Sequence, residues 1–143
     1  MDDENVSEWR TIAKENPSEV IESLETVSGK LEADDWSERN TAAIALSHTA
    51  EEYPTEVADQ LPSLVGSLDD DNAAVRYNVA TCINTIAETN PDRLGDHLDT
   101  IVTATGDEEE SVREPCMEVL QNVHDNNPEA LKTVIDDQLA DFF

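Results

Sequence analysis

Prolines recur in this chain at a fixed step. Pro17, Pro54, Pro91 and Pro128 are each 37 residues apart, and asparagine precedes three of them, at Asn16, Asn90 and Asn127. Arginines keep the same step at Arg39, Arg76 and Arg113, each after an acidic turn. Apolar positions obey it too. Val20, Val57, Leu94 and Leu131 form one column, and Leu24, Leu61, Leu98 and Ile135 a second; Leu46, Ile83 and Leu120 form a third, and Ala43, Ala80 and Met117 a fourth. A period of this length, kept by several residue classes at once, marks stacked supersecondary units that bury their apolar faces against one another.

Each unit divides into two helices. From Pro54 onward Val57, Leu61, Leu64, Val65 and Leu68 recur at three- and four-residue steps, the spacing of one helical face. Asn followed by Pro supplies an N-cap and then a first helical residue whose missing N–H costs nothing, so first helices are expected to open near Pro17, Pro91 and Pro128. An acidic turn follows. The second helix carries Val75, Val79, Ala80, Ile83, Ile86 and Ala87, and its analogue around Arg39 has Asp35 and Glu38 spaced as a capping box. Pro115 falls in the third such helix and is tolerated if that helix starts at Ser111, which places the proline in the first turn.

Two helices per unit, a proline opening the first, and a turn Asp six residues before an Arg (Asp70 with Arg76, Asp107 with Arg113) resemble HEAT repeats, relatives of armadillo repeats. The first full unit departs from the pattern, with Ala33 in place of the Asp and Asp34 one position late. The resemblance spans nearly all of residues 1–143, read as one domain. It implies an all-α fold, a right-handed α-α superhelix of about eight helices with the second helices on its concave side. Residues 3–15, with Val6, Trp9 and Ile12 on one face, are then an orphan second helix, and 128–143 an orphan first helix. The resemblance also makes the arginine ladder and the prolines structural, each guanidinium clamping turn carbonyls and acidic side chains.

The charge is extreme: 34 acidic residues against 8 basic give −26. The profile, in which only Lys14, Lys30 and Lys132 are lysines, is similar to that of cytoplasmic proteins of salt-loving archaea, where molar salt shortens the screening length to about 3 Å. Mimicry of nucleic acid and an ordinary acidic protein are the other readings. The N-terminus is acidic where a targeting peptide would be basic, and no apolar run is long enough for a membrane span, so a cytoplasmic protein without membrane contact is expected.

Signs of catalysis are missing from the sequence. The cysteines, Cys82 and Cys116, share columns with Ala45 and Val119 and with Ala42 and Val79, which reads them as buried apolar groups. The histidines form His48-Thr49, His97-Leu98 and His124-Asp125, none resembling the His-Glu pairs of iron-binding HEAT-fold hydroxylases. Eight scattered basic residues cannot build the phosphate cleft of the HEAT-fold DNA glycosylases, so no nucleic acid is expected. Gly29 and Gly66, one repeat apart, read as helix-packing positions, and the run Asp107 to Glu110 as a solvated turn. Trp9 aligns with the Leu46 column and reads as core, and Trp36 as a helix-start residue covering its neighbour. No cofactor, metal or enzymatic activity is expected.

One distribution points further. Residues 41–50 and 77–87 contain no Asp, Glu, Lys or Arg in a chain that is 29% charged. Denser packing of second helices is one cause. The other is a binding groove along Thr41, Ile44, Ser47, His48, Asn78, Thr81, Asn84, Thr85, Gln121 and Asn122, whose hydroxyls and amides suit a peptide or helix backbone. The expected function is therefore a non-catalytic scaffold or adaptor for a protein partner of unknown identity. The alternatives are an accessory or lyase-like HEAT protein acting on a cofactor or modified protein, and an acidic nucleic-acid mimic. Val134, Leu139 and Phe143 lie beyond the stripe Leu131, Ile135 and Phe142 on the last helix, so self-association or partner docking through that helix is a further expectation.

Overall fold

The computed structural model describes residues 3–140, and every regular element in them is helical. Second-type helices are continuous: α1 (Asp3–Glu15), α4 (Trp36–Glu52), α7 (Ala73–Thr89) and α9 (Glu110–Asn126) pack side by side in that order. First-type helices alternate with them. They comprise α2 (Pro17–Glu22) with α3 (Leu24–Gly29), α5 (Pro54–Val57) with α6 (Leu61–Gly66), the 3₁₀ stretch Pro91–His97 with α8 (Leu98–Ala104), and α10 (Pro128–Ala140). The result is an α-solenoid with a 37-residue repeat.

The joint between a second helix and the next first helix is one residue long. Asn16, Tyr53, Asn90 and Asn127 each donate their backbone N–H to the carbonyl four residues back, at 2.7–2.8 Å, closing one helix. Each also leaves the helical region, which the following proline disfavours, with φ between −152° and −127° and ψ between 52° and 88°, so the chain turns there. The prolines then open the next helices as the sequence indicates. The asparagine side chains do not cap as expected: neither Asn16 nor Asn90 accepts a bond from a helix N–H. Asn16 instead accepts from Ser18 Oγ and donates to Glu19, and Asn90 donates to Thr89 Oγ1.

Three of the first-type helices are broken where one continuous helix is expected. Pro62 has no N–H to offer the Ala58 carbonyl, and a 3₁₀ turn at Ala58–Gln60 precedes it. The Pro91–His97 stretch is wholly 3₁₀ and contains Gly95. In the first unit the break falls at Ser23. α10, which lacks glycine, serine and a second proline, runs unbroken.

The core follows the columns. Val20, Val57 and Leu94 are fully buried, as are Leu46 and Ala43 with Ala80, while Leu61, Leu98 and Ile83 are within 2% of it. Each such Leu or Ile contributes about 1.5–3 kcal/mol of burial. Trp9 packs half-buried against this core together with Ile12. The columns fail at the far end, where Met117 is 59% and Ile135 42% exposed.

Trp36 opens α4 and is 51% exposed. Pro115 is the sixth residue of α9, which starts at Glu110, so it lies one turn inside the helix and not in its first turn. A Cβ added at Gly29 or Gly66 would meet nothing within 4 Å, so neither glycine mediates close helix packing. Asp35 caps α4 by accepting the Ser37 N–H. The side chain of Val6, and the residues Phe142 and Phe143 with the Leu139 side chain, lie outside the described residues.

Candidate functional site

Two polar features run across the stack: the arginine ladder at the N-terminal ends of the second helices, and the charge-poor column along their lengths. The ladder links units, whereas the sequence suggests pairs within them. Arg39 Nε and Nη2 grip the Asp70 carboxylate at 2.8 and 3.2 Å, and Arg76 grips Asp107 likewise at 2.9 and 3.3 Å, each 31 residues ahead. The residue six positions before each arginine serves through its carbonyl: Nη1 donates to Ala33 O, Asp70 O and Asp107 O in turn. Ala33 is thus no defect. A carbonyl suffices there.

Both carboxylates have a second task. Asp70 accepts the Asn72 N–H and Asp107 the Glu109 N–H, so the same side chain shapes the acidic turn and receives the neighbouring arginine. Asn72 then caps α7 through the N–H groups of Ala74 and Val75. The Arg76–Asp107 side chains are 9% exposed each, where a bidentate charge-assisted pair is worth more than a surface ion pair. The hydrogen bond that Arg39 donates to Asp70, reinforced by the nearby acidic charges, raises the Arg39 guanidinium above its usual range against the opposing effect of burial.

The column residues are spread over three helices. Thr41, Ile44, Ser47 and His48 lie on α4, Asn78, Thr81, Asn84 and Thr85 on α7, and Gln121 and Asn122 on α9. All are half-buried except Gln121, which is exposed. Several are tied across helices. Asn78 Nδ2 donates to Asn40 Oδ1 at 2.8 Å, and Asn122 Nδ2 donates to Asn84 Oδ1 at 3.3 Å, the same 38-residue step twice. Asn84 Nδ2 donates to Glu118 Oε2 at 2.6 Å, and Gln121 donates to Asp125. Thr85 Oγ1 donates to the Thr81 carbonyl, and His48 Nδ1 stands 3.9 Å from Glu51.

Asn40 and Glu118 belong to this network without being evident from the sequence. Asn40 precedes the charge-free run, and Glu118 is charged where its equivalents Ile44 and Thr81 are not; the step of 38, one more than the period, is the signal that could have found the first.

Reactive chemistry has little to draw on. Among the described residues no three His, Cys, Asp or Glu side chains are placed to hold a metal ion. Both cysteines are buried, which raises the Cys82 thiol far above its ordinary range and, with the Asp107 charge, pushes Cys116 up to about 11. Among the described residues no helix is long and apolar enough to cross a membrane.

Residues 36–86, from the start of α4 to near the end of α7, match the family model described as a HEAT-like repeat. No curated protein matches the chain. Solved structures that match include the crystal structure of an engineered protein from the Northeast Structural Genomics Consortium, with a TM-score of 0.76 and 20% identity over 93% of this chain. The chain spans 60% of the length of that structure, and the likeness is one of fold. With its repeat period and its carboxylate–guanidinium ladder, the chain is an all-α repeat solenoid that carries a HEAT-like repeat at its centre.

Proposed function

We propose that this protein is a non-catalytic, cytoplasmic, salt-adapted scaffold that holds a protein partner along the charge-poor column of α4, α7 and α9. The observation that carries the reading is a half-buried stripe of amides and hydroxyls centred on α4 and α7, whose central stretches, residues 41–50 and 77–87, carry no charged side chain. A purely solvated face in so acidic a chain would carry carboxylates, and a pure core would avoid the 1–3 kcal/mol or so that an unpaired buried polar group costs. A surface that loses its water on binding accounts for both, because the centres of interfaces are depleted in charge.

The cross-helix amide bonds add a mechanism. Donation by Asn78 to Asn40 and Ala74, and by Asn122 to Asn84, fixes those amides in one orientation and leaves the Oδ1 atoms of Asn78 and Asn122 as acceptors for a partner's N–H groups. Orientation fixed in advance lowers the ordering cost of docking.

The test is partner capture from the cell extract in molar KCl with Asn84→Glu, Ser47→Glu and, as a control on the first-helix side, Gln60→Glu. Ser47→Glu accompanies Asn84→Glu because a carboxylate at 84 also meets Glu118. Loss of capture by the first two at unchanged helicity, with capture retained by the third, supports the column; equal capture by all three removes it.

A further inference from the structure

Among the described residues, no further second-type helix packs on the outer face of α9 and α10. In α4, Ala43, Leu46 and Ala50 are fully buried, with α7 packed on that helix, and in α7 the equivalent Ala80, Ile83 and Ala87 are buried with α9 packed on it. In α9 the same columns hold Met117, Leu120 and His124. Met117 and His124 are exposed and Leu120 is half-buried. Together with Thr105, Gln121 and Leu131 they line an open groove of about 370 Å³.

The ladder is interrupted at the same place. Arg113 Nη1 donates to the Asp107 carbonyl at 2.7 Å, as its two equivalents do to theirs. Its Nε and Nη2, the atoms that in Arg39 and Arg76 hold a carboxylate, have none among the described residues. Arg113 lies one helical turn before Met117 on α9, so a bidentate donor precedes the groove along the same helix.

The rest of the chain shows twice what fills such a face. α7 reaches α4 behind Asp70 and Asp71, and α9 reaches α7 behind Asp107 and Glu108. We infer that the α9–α10 face docks an amphipathic helix of another protein, led in by an Asp or Glu whose carboxylate Arg113 takes in its fork. The Arg113 fork asks for a carboxylate ahead of an apolar helix face, and a second copy does not bring one: the described exposed residues of α1, the unpaired second-type helix a copy would offer, include Glu8, Arg10, Thr11 and Lys14, which form no apolar stripe.

The probe is a fluorescein-labelled peptide with the sequence of residues 70–89, the chain's own covering helix with its leading carboxylates, titrated into the full chain in molar KCl. Anisotropy is expected to show saturable binding of one peptide per chain. Met117→Glu, at an exposed position that does not support the fold, should weaken it roughly tenfold, and Arg113→Gln several-fold. A peptide carrying Asp70→Asn should bind the parent chain several-fold more weakly and lose nothing more against Arg113→Gln, since both changes break one contact. Absence of saturable binding overturns the inference, as does binding indifferent to Met117→Glu and Arg113→Gln. Sedimentation showing a dimer of the unliganded chain that Met117→Glu dissociates overturns it too, because the occupant would then be a second copy.

Discussion

The α4–α7 contact and the open face of α9 are built on the same sequence columns and end in opposite states. Leu46 and Ile83 are buried and Leu120 only half so; Ala43 and Ala80 are fully covered, whereas Met117 is 59% exposed. Arg39 and Arg76 hold carboxylates while Arg113 holds a carbonyl. Burial in a stacked repeat is therefore conferred by the neighbouring unit and is not a property of the residue's own helix. The same substitution should then have different consequences at equivalent positions.

The largest effect expected is on the whole stack and comes from salt. Moving from molar KCl to 0.1 M salt lengthens the screening length from about 3 Å to about 10 Å, exposing the chain to its own repulsion. Helical circular dichroism should fall, and hydrogen exchange should show α10 opening before α4 and α7, which are covered on both sides. Identical spectra and protection in the two salts would break this expectation.

Next in size is truncation of the central column. Leu46→Ala should lower the unfolding free energy by about 2–5 kcal/mol, whereas Leu120→Ala should lower it by about 1 kcal/mol or less. Denaturant midpoints in molar salt measure both, and equal losses would contradict the dependence of each column on its neighbouring unit.

The ladder gives a smaller contrast. Arg76→Gln leaves the nearly buried Asp107 carboxylate unpaired and should cost about 2–3 kcal/mol, while Arg113→Gln should stay within about 0.5 kcal/mol; the same denaturant midpoints read both. The smallest change is a gain. Gly66→Ala places a methyl group where nothing lies within 4 Å, in a backbone without positive φ, and should stabilise by about 0.4–1 kcal/mol through the unfolded chain.

The sequence shows which positions are equivalent, and that is why the columns at Val57, Leu61 and Ile83 are legible in it. It does not show which neighbour an equivalent position touches. Asp70 stands six residues before Arg76, yet its carboxylate serves Arg39 of the preceding unit, because side chains in a stack reach sideways while spacing is read along the chain. Asn40 and Glu118 escape a reading of the sequence for the same reason. The breaks in the first helices depend on single backbone groups, such as the N–H that Pro62 lacks, and these leave hydrophobic periodicity unchanged. Met117 is exposed because, among the described residues, no second helix packs beyond α9, and its own column does not encode that.

The one-residue joints at Asn16, Tyr53, Asn90 and Asn127 work as a gauge with no slack. Each amide ends one helix while the same residue's non-helical backbone leads into the next, so an inserted residue could not be absorbed in a loop. It would lengthen a helix instead and swing everything after it through about 100°. Growth or shrinkage of such a molecule is thereby quantised: whole repeats can be added or removed, and smaller length changes are confined to the acidic turns, where the ladder would register each one as a misplaced carboxylate.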